Sequence, residues 1–113
     1  MEINTNTLND VIVFEIIGEI DGKTAPEVQE KVIAESPAGG KVILDMSGVP
    51  YMSSAGLRLM LTIYRHVTGG KGNLALIGVI EEIKETMEIT GFLDYFTFGD
   101  TVDEGIQAMS SEQ

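Results

Sequence analysis

Apolar residues follow two rhythms along this chain, and the switches between them mark out its elements. Val11, Val13, Ile16, Ile17 and Ile20 form a β-branched run between Asn9-Asp10 and Asp21-Gly22, the composition and punctuation of a strand. A weaker strand is expected around Glu2 to Thr7, with Asn9-Asp10 as the turn, so that the chain opens on a hairpin. A helix follows. Thr24 suits its N-cap, Glu27 stands three residues on in the capping-box position, and Pro26 falls in the first turn, where a missing N–H costs nothing. Val28, Val32 and Ile33 share one face, and Pro37 with Gly39-Gly40 ends the segment.

Lys41 to Met46 is a short apolar strand broken by Ser47-Gly48-Val49-Pro50. From about Ser54 to Val67 the period returns to that of a helix. Leu57, Leu61 and Tyr64 form one stripe, widened by Met60, Ile63 and Val67, while Arg58, Arg65 and His66 face water. The turn Gly69-Gly70-Lys71-Gly72 leads into an interior strand, Asn73 to Val79. Ile80 to Thr90 is helical, with Ile83 and Met87 at i, i+4 and Gly91 as its C′ residue. Phe92-Leu93 and Tyr95 to Phe98 suggest a last short strand, and Thr101 or Asp103 caps a closing helix of Val102 to Met109. The tail from about residue 110 is expected to fray.

The order β-β-α-β-α-β-α-β-α predicts an α/β fold: a mixed sheet of four to five strands covered by about four helices. With 113 residues and no linker or repeat, a single domain spanning 1–113 is the expectation. The hydrophobic fraction of 43% is too high for a disordered acidic segment, so the chain folds.

Charge narrows the roles. Seven Lys+Arg against 18 Asp+Glu give a net charge of −11, which repels phosphate backbones and anionic membranes alike. No nucleic acid, no membrane and no small-molecule substrate are expected. No stretch approaches the roughly 18 apolar residues of a membrane span, and the first ten residues resemble no cleaved leader. With Cys 0 there is no disulfide, thiolate nucleophile or cysteine metal site, in keeping with a cytoplasmic setting.

Catalytic constellations fail on spacing. His66, the one histidine, lies 12 residues beyond Ser54 on the same expected helix, about 18 Å along the axis at ~1.5 Å per residue. A nucleophile and its base must sit within hydrogen-bond reach, so the chain is not expected to be an enzyme. Gly69 to Gly72 fails as a phosphate loop. Arg65 stands where the first glycine belongs, and the segment joins helix to strand rather than strand to helix. Glu81, Glu82, Glu85 and Glu88 lack histidine partners and calcium-loop spacing, so they form a solvated helix face. No cofactor is expected.

One segment stands apart. Pro50-Tyr51-Met52-Ser53-Ser54-Ala55-Gly56-Leu57 joins a buried strand to an apolar helix, placing hydroxyls beside free backbone N–H groups and the positive end of the helix dipole. On physical grounds Ser53 or Ser54 is an N-cap. The segment also resembles the STAS family, and within it the single-domain bacterial anti-sigma factor antagonists. The likeness spans nearly the whole chain. It runs from Gly18-Glu19-Ile20-Asp21 through Val42-Ile43-Leu44-Asp45-Met46-Ser47-Gly48-Val49 and Tyr51-Met52-Ser53-Ser54-Ala55-Gly56-Leu57 to Thr90-Gly91-Phe92.

That resemblance implies a phosphorylatable serine two places before the loop glycine, which here is Ser54. Ser53 stands where the family usually has aspartate and is therefore a second candidate acceptor. The implied partner is an anti-sigma factor that is itself a serine-protein kinase, bound when the chain is unphosphorylated and released on phosphorylation, with a serine phosphatase restoring the complex. Asp21, Ser53, Ser54, Gly56 and Leu57 are the implied partner-binding residues. Asp21 is open between a partner or serine contact and an Asp-Gly turn, whereas Asp45 and Ser47 suit loop shaping. A STAS scaffold serving an output other than sigma factors is the alternative role.

Overall fold

The hairpin forms where the β-branched run predicts it. In the computed structural model, which describes residues 1–110, β1 (Glu2–Leu8) pairs antiparallel with β2 (Val11–Ile17) across Asn9, whose φ of 58° suits an asparagine in a tight turn. The strand β2 stops three residues short of Ile20, because Gly18 turns the chain at φ +125°, a conformation that side-chain-bearing residues rarely adopt. Ile20 then rejoins the sheet as an isolated parallel bridge to Met52.

The remaining elements alternate as expected: α1 (Ala25–Glu35), β3 (Lys41–Gly48), α2 (Ser54–Gly69), β4 (Asn73–Ile77), α3 (Glu81–Ile89), β5 (Thr97–Gly99) and α4 (Val102–Ser110). The sheet order is β1-β2-β3-β4-β5, with every pair after the hairpin parallel and crossed over by a helix. Helices α1, α2 and α3 cover one face, packing Val28, Val32, Met60, Ile63 and Met87 against Phe14, Ile16, Leu44 and Met46. Helix α4 covers the other, with Met109 against Val11, Val13, Ile43, Ala75 and Ile77. Burial on both faces explains the unbroken apolar run of Val42, Ile43 and Leu44 in the central strand, all at 0% exposure.

Three local expectations give way to competing contacts. Thr24 stands at the N-cap of α1 but makes no side-chain cap bond. Its hydroxyl donates to the Glu19 carbonyl at 2.8 Å and accepts from the Asp21 amide at 3.0 Å, so the capping box does not form. On α2 the buried stripe runs through Leu57, Met60, Ile63 and Val67, leaving Leu61 and Tyr64 half-buried. Leu93–Tyr95 forms a single 3-10 turn in place of the start of a strand. The strand expected to reach Val79 ends at Ile77, because Gly78 turns the chain at φ +67°. Gly91 takes φ +81° behind α3 as expected, and Thr101 Oγ1 accepts from the Glu104 amide at 3.2 Å at the head of α4. Ser110 closes α4; the remainder of the expected frayed tail lies outside the described residues.

Candidate functional site

At the carboxyl ends of β2 and β3 the chain leaves the sheet in two loops that are stitched together. The Ile20 amide donates to the Tyr51 carbonyl at 3.0 Å, and the Ser53 amide donates to the Ile20 carbonyl at 2.9 Å. These bonds bring the β2–α1 turn, with Asp21, alongside the loop that precedes α2. The Gly18 amide reaches the Gly48 carbonyl at 3.0 Å and extends the seam back to the strands.

The two serines end in different states. Ser53 is the N-cap: its backbone is extended (φ −81°, ψ 178°), its Oγ accepts from the Gly56 amide at 3.4 Å, and its carbonyl accepts the first helical bond, from Leu57. Ser54 is the first residue of α2 and is exposed, and its hydroxyl has no hydrogen-bond partner among the described residues. The first turn of α2 contains no acidic residue, so the positive end of the helix is not offset by its own side chains.

Gly56 and Leu57 lie beneath this surface. Leu57 is 5% exposed and belongs to the main core, and Gly56 is buried against the β2–α1 turn. A Cβ on Gly56 would run into the Met52 side chain and lie 2.9 Å from the Ile20 carbonyl oxygen, so glycine is what lets the helix start so close to that turn.

Asp21 is half-buried and held by its own turn. Its Oδ1 accepts from the amides of Lys23 at 2.9 Å and Thr24 at 3.1 Å, and lies 3.3 Å from the Thr24 hydroxyl, whose proton it shares as the longer branch with the Glu19 carbonyl. The Lys23 and Thr24 amides hold its carboxyl below the ordinary aspartate range. No hydrogen bond joins Asp21 to Ser54 among the described residues; the turn geometry predicted for Asp21 is present, and its nearness to the serine loop comes through the backbone of Ile20. Asp45 Oδ1 accepts from the Ser47 amide at 3.0 Å and hydroxyl at 2.7 Å, a local loop-shaping pair.

His66 is exposed near the far end of α2, in a groove with Gly39 and Gly70, well removed from Ser54. Glu81, Glu82, Glu85 and Glu88 are all exposed on α3, and no cluster among the described residues could hold a metal ion. Two features escaped the sequence reading. Tyr51, 52% exposed, sets an aromatic surface within the serine loop itself, for which the clue was a tyrosine following Pro50. Arg58 lines a groove between α1 and α2, for which the clue was its spacing of four residues from Ser54.

What these elements define is a five-stranded mixed α/β domain whose focal point is a presented hydroxyl at a helix start. The STAS domain model matches residues 2–105, and the chain belongs to that family. Among curated relatives it is 32% identical to the anti-sigma-B factor antagonist of Staphylococcus epidermidis over 95 residues, covering 83% of this chain and 88% of the relative. It is 30% identical to the anti-sigma-B factor antagonist of Bacillus subtilis over 99 residues, covering 88% and 90%. The fold is shared with the Bacillus protein SpoIIAA in two solved states. The unphosphorylated form aligns at TM-score 0.74 and 17% identity over 97% of each chain. The phosphorylated form aligns at TM-score 0.67 and 18% identity over 94% of this chain and 97% of that one.

No helix among the described residues is long and apolar enough to cross a membrane.

Proposed function

We propose that this chain is an anti-sigma factor antagonist that works by partner switching. Unphosphorylated, it binds an anti-sigma factor that is a serine-protein kinase and so frees a sigma factor. The kinase transfers the γ-phosphoryl group of its ATP to Ser54 Oγ, the hydroxyl proton leaves and ADP is released. The modified surface then lets go. A serine phosphatase hydrolyses the phosphoester, returning the hydroxyl and inorganic phosphate.

The observation that carries this reading is the contrast between the serines: Ser53 Oγ is engaged as the helix cap, whereas Ser54 is exposed and its hydroxyl has no partner among the described residues. Relatives named anti-sigma-B factor antagonists support it, as does a structural neighbour solved in phosphorylated and unphosphorylated forms. A phosphate at this position adds about −1.5 to −2 charges where a helix start favours an anion, so the domain keeps its fold while its surface changes. In this reading Ser53 precedes the acceptor in the chain, Asp21 stands in the adjoining turn, and Gly56 and Leu57 serve the interface by seating the helix start. The test is mass spectrometry after co-expression with candidate kinases of the same genome. Phosphate on Ser54, together with loss of kinase binding by Ser54→Asp, is expected; a Ser54 left unmodified by the kinase that binds the chain overturns the proposal.

A further inference from the structure

We propose that Arg58 is the cation that holds the phosphate on Ser54, within the same chain; this rests on the reading of Ser54 as the phosphoacceptor. Residues four apart on a helix are surface neighbours, with Cβ atoms about 5–6 Å apart. Long helical side chains lean toward the N-terminus, which directs Arg58 back over the turn that Ser54 begins.

Arg58 is exposed and has no ion pair: the ion pairs among the described residues are Lys31–Glu35 and Lys41–Asp10. It borders a groove whose other walls include Gly22, Ala25, Pro26, Ala55 and Leu59, none of them acidic. Asp21, the acid of the adjoining turn, already has Oδ1 bound to the amides of Lys23 and Thr24. In a chain of net charge −11, an uncommitted guanidinium on the acceptor's own helix face is set apart from its surroundings.

A guanidinium fork matches phosphate oxygens in a bidentate manner. Together with about half a positive charge at the helix start, it offsets most of the added phosphate charge. Phosphorylation then changes two things at once. It places an anion in the partner's path and withdraws the Arg58 guanidinium from any acidic group of the partner.

The test places phosphoserine at position 54 during translation, without a kinase, and titrates it by phosphorus NMR in the parent, Arg58→Gln, Arg58→Lys and Lys23→Gln. The second phosphate pKa is expected about half a unit higher in Arg58→Gln than in the parent. Arg58→Lys should fall between them and Lys23→Gln should match the parent. Arg58→Gln titrating with the parent, or Lys23→Gln moving the value as far, overturns the proposal. Because no kinase is involved, a failed titration leaves the assignment of Ser54 standing, and a Ser54 that no kinase modifies leaves the titration valid.

Discussion

Gly56 faces the carbonyl of Ile20 so closely that a methyl group on it would sit 2.9 Å from that oxygen. The same carbonyl accepts the Ser53 amide, so one backbone group of the β2–α1 turn fixes both the cap and the first turn of α2. Ser54, the proposed acceptor, is thereby mounted on a frame set by the turn that follows β2, a segment distant in sequence.

Gly56→Ala should lower stability by about 1–2 kcal/mol, since overpacking against a backbone oxygen outweighs the better helix propensity of alanine. Gly69→Ala, at the other end of the same helix with nothing within 4 Å of the added atom, should be neutral or slightly stabilising. Urea unfolding of the two variants gives the comparison, and equal midpoints would refute it.

The serines should separate by stability as well as by modification. Ser53→Ala removes the cap and should cost about 0.5–1 kcal/mol, toward the low end because the bond is 3.4 Å long. Ser54→Ala should change stability by no more than about 0.5 kcal/mol. Thermal melts that ranked the two in the opposite order would reassign the cap.

Asp21 makes a pH-dependent contribution whose sign is set by its lowered pKa. The unfolded carboxyl takes up its proton at higher pH than the folded one, so the contribution is fully present at neutral pH. It begins to fade as pH falls into the ordinary aspartate range and is gone below the folded-state value. Asp21→Asn should therefore lose stability less steeply than the parent below about pH 4. Glu35, lowered by Lys31, keeps its own share in both proteins. Parallel acid-unfolding curves would show that the Lys23 and Thr24 amides do not favour the charged form.

On the opposite face, Gly105 lets α4 lie against the sheet. A Cβ there would meet Ile77 at 3.0 Å and Ile43 at 3.3 Å. Gly105→Leu should cost about 1–3 kcal/mol and loosen α4 while the serine site, on the far side of the sheet, is preserved. Faster hydrogen exchange confined to 102–110 is the expected mark; unchanged exchange there would refute it.

Much of this architecture was legible because its interior strands β2, β3 and β4 carry apolar runs and breaks fall at Asn9 and Gly91, residues whose left-handed backbones end elements. Gly78 ends β4 in the same way, at Ile77, two residues short of the expected Val79. The order of elements and the placing of a serine at the head of α2 follow from such local chemistry. What was not legible depends on contacts between distant segments. Thr24 fits a capping box by pattern, yet the Glu19 carbonyl takes its hydroxyl. Helix α2 is apolar nearly all round, so its core-facing stripe was ambiguous until β4 and α1 were packed against it. Ser53 and Ser54 are chemically alike, and only the position at which the Ile20 carbonyl anchors the loop decides which hydroxyl caps and which is offered to solvent.

Strand β1 has six of its seven residues exposed, and Asn4, Thr5, Asn6 and Thr7 give it a polar composition. It pairs along the whole of β2, whose sequence VIVFEII is otherwise an open apolar edge with strong cross-strand affinity. The hairpin is thus a guard against self-assembly. A shortened form lacking β1 would be driven toward stacking copy on copy, and the population available to any signalling partner would fall for reasons unconnected with the serine.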